Sequence, residues 1–178
     1  MARIMKITAL ISACLMVFFI FTSNFFDSGI FISAAVSFGT IFYHFAMRLM
    51  VGSLCDMIIT ADGIYKRKIY SVKEKEMEFY RRIGIRKWKK IMPTYDASQF
   101  DPRKHTWEEI ASACARSETI HLINALLSFL PMVLTLYFGA FPVFLITSAA
   151  GAAFDMMFIM IQRFNLARIV KAIEKCKK

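Results

Sequence analysis

Four long apolar runs constrain this chain more than any other feature. Ile7 to Phe26 is 20 residues without a charge, and Gly29 to Val51 is 23 residues that include His44 and Arg48. Ile120 to Phe138 is 19 residues with His121 near its start, and Phe141 to Ile161 is 21 residues with Asp155 inside. A helix of about 20 residues crosses the hydrocarbon of a bilayer. The runs do not alternate apolar with polar residues, which argues against barrel strands, and lipid otherwise accepts only helices. The whole chain is 57% apolar and 20% charged, away from the ~45–50% apolar share of a soluble domain. Arg3 and Lys6 precede the first run, but it exceeds a signal-peptide core and no small-residue cleavage site follows, so it reads as a retained helix.

Loop charge sets the expected orientation. The turns at Asp27-Ser28 and Gly139-Ala140 carry no basic residue. The segment from Gly52 to Ser117 holds 14 Lys/Arg against 9 Asp/Glu, and the tail from Gln162 to Lys178 holds 6 against one. With the basic N-terminus, every basic segment falls on one side, the expected cytoplasmic one. The expected fold is all-α: an integral membrane four-helix bundle of two transmembrane hairpins in the cell membrane, with both termini in the cytoplasm. Its spans are 7–26, 29–51, 120–138 and 141–161. A basic helical and loop region, 52–119, joins the hairpins, and a basic tail, 162–178, follows. Orientation and anionic lipid account for the positive charge, so nucleic acid is not an expected partner; the sequence sets no oligomeric state. The cysteines (Cys14, Cys55, Cys114, Cys176) show neither metal-ligand nor redox spacing and read as small buried or interfacial residues.

Within the joining region, Gly63 to Ile85 reads as partly helical, Arg86 to Pro93 as a basic cluster, and Thr94 to Thr106 as loop. Thr106 has Glu109 three residues on, the spacing of a capping box, so a helix is expected to start there and run unbroken into the third span. Pro142 suits the first turn of the fourth helix, where a missing N–H is harmless.

Ionisable side chains inside a span cost ~2.5–3.5 kcal/mol at the helix centre, so each needs a reason. At about 1.5 Å per residue, Arg48 lies ~5 Å, Asp155 ~9 Å and His44 ~10 Å from the cytoplasmic end of its run. His121 starts the third run and Glu118 precedes it. His44 and Arg48, four apart, share a face. Glu118, His121, Asn124 or Ala125, and Ser128 form a second stripe, and Asp155 and Gln162 a third. The least costly arrangement turns the three stripes inward, leaving the first helix as scaffold. Plainer readings stay open: Arg48 snorkelling to headgroups, Glu118 and His121 as interfacial residues, or a structural Arg48–Asp155 ion pair. Histidine beside carboxylate at a membrane face fits general base catalysis on a lipid-borne substrate, and the cations suit a phosphate-bearing donor. No Gly-rich phosphate loop, nucleophile elbow, metal signature or resident cofactor motif is present.

Three motifs in order, "RKWKK" before a proline (Arg86 to Pro93), "RSETIH" (Arg116 to His121) and "IQRFNLAR" (Ile161 to Arg168), resemble the glycosyl-diaponeurosporenoate acyltransferases, small bacterial membrane proteins of carotenoid glycoside synthesis. The resemblance spans roughly residues 80 to 170. Arg116, Glu118 and His121 match that family's Arg-x-Glu-x-x-His. Gln162, Arg163, Asn165 and Arg168 match its Gln-Arg-Tyr-Asn-x-x-Arg, with Phe164 for the tyrosine. Leu166-Ala167 stands where members often carry Arg-Pro, and Ala113 where a glutamate is expected. The resemblance implies transfer of a fatty acyl chain to a hydroxyl of a carotenoid glycoside, or of another glycolipid or lipid alcohol.

On this footing the expected catalytic groups are His121 as base, Glu118 orienting it, His44 as the alternative base, and Asp155. Arg48, Arg163, Arg168 and the cluster containing Arg86, Lys87 and Trp88 would hold the phosphates of an acyl-CoA or another acyl donor, a co-substrate rather than a bound cofactor. Arg116 belongs to the matched motif, and Gln162 and Asn165 would position the acceptor or stabilise an oxyanion. A cavity open sideways to lipid would admit the acyl chain. Two other classes compete: a non-enzymatic membrane adaptor or assembly protein whose polar groups only fix helix packing, and a small integral membrane methyltransferase.

Overall fold

The computed structural model describes residues 2–26, 28–59, 63–92, 97–139 and 141–176, without the side chains of 2, 89–91 and 97. Asp27, Ala140 and Pro93, and Thr94 to Asp96 of the expected loop, lie outside the described residues. Helices dominate and no strand forms among the described residues. Four helical segments are long and apolar enough to cross a membrane.

The first two are α1 (Ala2–Ser23) and α2 (Gly29–Ile58), which lie against each other. Their contact is built from aromatic side chains: Phe19 stacks on Phe38 with centroids 5.6 Å apart and planes 5° from parallel. Much of their remaining apolar surface faces outward, Ile30 being 77% exposed, as expected of helices whose solvent is lipid. α2 extends seven residues past the expected span end at Val51, carrying Asp56 towards Arg116.

Two short 3-10 turns, Ile64–Lys66 and Lys68–Tyr70, then lead into α3 (Glu74–Arg82) and α4 (Ile85–Ile91). Gly84 between them adopts φ +71°, a left-handed conformation that a side chain disfavours, and this reverses the chain. The segment docks through apolar faces. Ile64, Tyr65 and Tyr70 pack with Ile110, Ala111, Cys114 and Leu166. Met77, Tyr80 and Ile85 pack with Ile161 and Phe164.

α5 (Trp107–Leu127) starts at Thr106 with the expected capping box: Thr106 Oγ1 accepts from the Glu109 N–H at 3.2 Å, and Glu109 Oε2 accepts from the Thr106 N–H at 2.8 Å. It continues through Glu118 and His121 into the apolar run, as the sequence leads one to expect. Thr106→Ala should destabilise the protein by about 1 kcal/mol. A lowered midpoint in thermal unfolding would show it.

The third apolar run departs from expectation. Its α-helix ends at Leu127, and a 3-10 turn (Leu130–Leu134) and the four-residue α6 (Thr135–Phe138) follow. Pro131 lacks the N–H an α-helix needs there and crowds the preceding turn, and the Ser128 hydroxyl donates to the Asn124 carbonyl at 2.8 Å. α7 (Phe141–Cys176) is the longest element, 36 residues, with Pro142 in its first turn as expected. It packs along α5. Small residues on the shared faces, Ala111, Ala115 and Ala125 on α5 and Ser148 and Ala152 on α7, are buried and permit close approach.

Candidate active site

Contacts rise along α5 as they fall along α7, from Glu118 with Arg163 to His121 with Asp155, so the two helices run antiparallel. Their polar stripes face each other, and that of α2 meets them. Two polar centres result.

The first lies inside the apolar layer. Asp155 is 1% exposed and splits its carboxylate between two helices. Oδ2 accepts from Arg48 Nη2 at 2.6 Å, and Oδ1 lies 2.9 Å from His121 Nδ1. The same Nη2 also reaches the Gly151 carbonyl at 3.1 Å and Ser128 Oγ at 3.3 Å, and Nη1 donates to the His44 carbonyl at 2.8 Å. Arg48 Nη1 also lies 3.3 Å from His44 Nδ1. Because a guanidinium only donates, that nitrogen is the acceptor and the His44 proton sits on Nε2, a buried atom without a hydrogen-bond partner. His121 stacks flat on Phe158, centroids 4.5 Å apart and planes 5° from parallel. This fixes the ring, and with Nδ1 engaged by Asp155 the nitrogen left for a substrate is Nε2. Gly151 is required for packing: a β-carbon there would lie 3.1 Å from Arg48 Nη2 and 3.3 Å from Ser128 Oγ.

The second centre is a guanidinium between two carboxylates. Arg163 donates through Nε and Nη2 to both oxygens of Glu76, at 2.6 and 3.2 Å, and through Nη1 to Glu118 Oε1 at 2.5 Å. Its remaining donors reach the carbonyls of Ile69 and Ser71 at 3.4 Å. Tyr80 donates to Glu76 Oε1 at 2.5 Å. Burial raises the Glu76 carboxyl, but bonds from Arg163 and Tyr80 outweigh it and hold the group below the usual range; burial and then Glu76 push the Tyr80 phenol up.

A carboxyl depressed in the folded state stabilises that state fully above its unfolded value, ~4.3 for glutamate, and loses the contribution as pH falls through the folded value. The attachment of α3 should therefore loosen on the acid side of pH 4. Hydrogen exchange of residues 74–82 should show the step, and Glu76→Gln should remove it.

Six of the site residues expected from sequence, His44, Arg48, Glu118, His121, Asp155 and Arg163, come together in these two centres, with altered pairings. Asp155, not Glu118, is the carboxylate on His121. Glu118 projects a turn towards the α5 start, where Arg163 rather than the imidazole faces it. Arg48 through both terminal nitrogens, and Arg163 through all three, are engaged within the protein, as burial of a guanidinium demands. Arg86, Lys87 and Arg168 are exposed, Arg168 lying 5.7 Å over the Phe164 ring. Trp88 instead packs against the Met77–Tyr80 cluster. Arg116 pairs with Asp56 at 3.8 Å, Gln162 is buried, and Asn165 is half-buried. Sequence reasoning placed Ser128 on the α5 polar stripe but missed Glu76, Tyr80 and Phe158. Glu76 and Tyr80 carry a usable signal, an acid and a phenol four apart facing one side of a helix, but they sit within a charged run that reads as solvated.

The sequence matches CrtO, the glycosyl-4,4'-diaponeurosporenoate acyltransferase family, over residues 62–175. That stretch contains α3 to α6 and nearly all of α7, with Glu76, Glu118, His121, Asp155 and Arg163; α1 and α2, with His44 and Arg48, precede it. No curated protein and no solved structure matches the chain. On the family match, which covers more than half its length, the chain belongs to the glycosyl-4,4'-diaponeurosporenoate acyltransferase family.

Proposed function

We propose that the protein is a membrane O-acyltransferase that moves a fatty acyl chain from an acyl-CoA or comparable donor to a hydroxyl of a glycolipid or similar lipid acceptor, at the cytoplasmic leaflet. The observation that carries this reading is the His121–Asp155 pair at 2.9 Å. An imidazole held by a buried carboxylate and stacked on Phe158 has the orientation of a general base.

His121 Nε2 takes the proton from the acceptor hydroxyl as its oxygen attacks the acyl carbonyl. The tetrahedral adduct collapses to the new ester, the donor's thiolate leaves, and the proton passes from the imidazolium to that sulfur. Asp155 supports the transient imidazolium, and Arg48 holds Asp155 in place. His121 is assigned the base role over His44, whose Nδ1 already accepts from a permanent cation. Glu118 Oε2 and Gln162 Oε1, buried acceptors without a hydrogen-bond partner, fit hydroxyl donors of an acceptor sugar. Arg86, Lys87 and Arg168, exposed beside this end of the helices, fit the donor's phosphates.

Two hairpins, α1–α2 and the α5–α7 pair, would place the connecting region 52–119, the tail 162–178 and both termini in the cytoplasm, consistent with their basic charge. Membranes containing the protein, given a radiolabelled acyl-CoA and host lipid extract, are expected to form a labelled ester that control membranes lack. Lipid profiles of hosts with and without the gene then identify the acceptor. No labelled lipid with any donor chain, together with a partner protein that co-purifies in stoichiometric amount, would instead establish the adaptor.

A further inference from the structure

We infer that the apolar cavity between α1, α2 and the broken end of the third run is the seat of the donor's fatty acyl chain and sets which chain length is transferred; this rests on the acyltransferase reading above. The cavity has a volume of about 660 Å³, within the ~300–1,000 Å³ typical of ligand pockets. Met16 and Ile20 of α1, Gly39 and Thr40 of α2, and Pro131 and Leu134 form much of its wall.

Its polar lining groups are occupied elsewhere. The Thr40 hydroxyl donates to the Val36 carbonyl at 2.9 Å, the Tyr43 hydroxyl to the Leu127 carbonyl at 2.8 Å, and the Ser23 hydroxyl to the Ile20 carbonyl at 2.7 Å. The interior thus offers chiefly hydrocarbon contact, its hydroxyl protons already engaged, which favours an aliphatic occupant.

Position selects which one. Tyr43, at one end of the cavity, precedes His44 and lies edge-on to it with centroids 5.6 Å apart. Leu130 of the lining follows Ser128, a partner of Arg48, by two residues. The near end of the cavity therefore lies next to the polar centre that holds Arg48 and Asp155. In the donor, the reacting carbonyl carbon is bonded directly to hydrocarbon. In a glycolipid acceptor, a sugar separates the reacting hydroxyl from its lipid tail. A hydrocarbon pocket whose near end, at Tyr43, adjoins His44 fits the first arrangement. The break at Pro131 contributes too, since a straight α-helix would not present the Leu130–Leu134 turn as this wall.

Gly39 and Met16 meet closely in the lining: a β-carbon at Gly39 would lie 3.1 Å from Met16 Sδ. The test is a competition among labelled acyl-CoAs of graded length, scored by the lipid ester formed. Gly39→Leu should shorten the preferred chain by roughly two to four carbons, about the bulk the side chain adds, and Met16→Ala should lengthen it by a similar amount. If Gly39→Leu fails to fold, Met16→Ala alone decides. Wild-type length preference in a folded, active variant would overturn the inference and leave the acyltransferase reading standing; a resident bilayer lipid would then be the occupant. Failure of the wild-type protein to transfer any chain would overturn both.

Discussion

Replacement of His121 by alanine is expected to lower kcat for acyl transfer by roughly 10²–10⁴-fold, the contribution of a well-placed general base, while KM changes little. The imidazole acts on a proton that moves only as the transition state forms, so its loss should fall on kcat. His44→Ala is the matched control. His44 Nδ1 faces Arg48 Nη1 at 3.3 Å, and removing this ring leaves the His121–Asp155 contact in place, so a loss under about tenfold is expected, far short of what removal of the base produces. Initial rates with saturating labelled acyl-CoA, for membranes carrying equal protein, decide between the two. An undiminished kcat in His121→Ala would remove the imidazole from the mechanism.

The second large effect is on stability. Asp155→Ala should destabilise the protein by ~3–5 kcal/mol, because it strands the Arg48 guanidinium in an apolar setting without its counter-charge. Asp155 is 1% exposed and the Arg48 side chain 11%, so water does not readily replace the lost partner. Replacing both at once, Arg48→Met with Asp155→Leu, should recover most of the lost stability, since a buried ion pair exchanged for packed apolar groups is often neutral or better. The same double variant should remain inactive, because His121 then has no carboxylate. Thermal unfolding of the purified variants in one detergent measures the first effect, and turnover the second. Additive losses in the double variant would show that the two charges do not act as a pair.

The apolar runs made the membrane helices legible, because lipid as solvent allows few alternatives to a helix. Thr106 and Glu109 likewise announced where α5 begins. The polar stripes on three helices could be read from residue spacing, and so could their inward convergence. The pairing within them could not. Glu118 and His121 sit three apart on one helix face, which favours matching them to each other, but helix register decides, and the antiparallel α7 brings Asp155 to the imidazole and Arg163 to the glutamate. The break after Leu127 was hidden because 19 apolar residues satisfy a span by length, although Pro131 was there to be weighed. Glu76 lay concealed in a run of charges whose buried side depends on Met77 and Tyr80 meeting Ile161 and Phe164, a long-range contact.

The 36 residues of α7 form a rod about 54 Å long, nearly twice the ~30 Å hydrocarbon depth. Asp155 and Arg163 are eight residues apart on that rod, about 12 Å, with no proline or glycine between them to act as a hinge. Whatever grips Arg163 is therefore joined to Asp155 through a stiff stretch of helix. α3 has two holds on this lever, Glu76 on Arg163 and Glu74 on Lys171 at 3.1 Å. α3 and the buried carboxylate are thus tied to one stiff rod, α3 at two points along it.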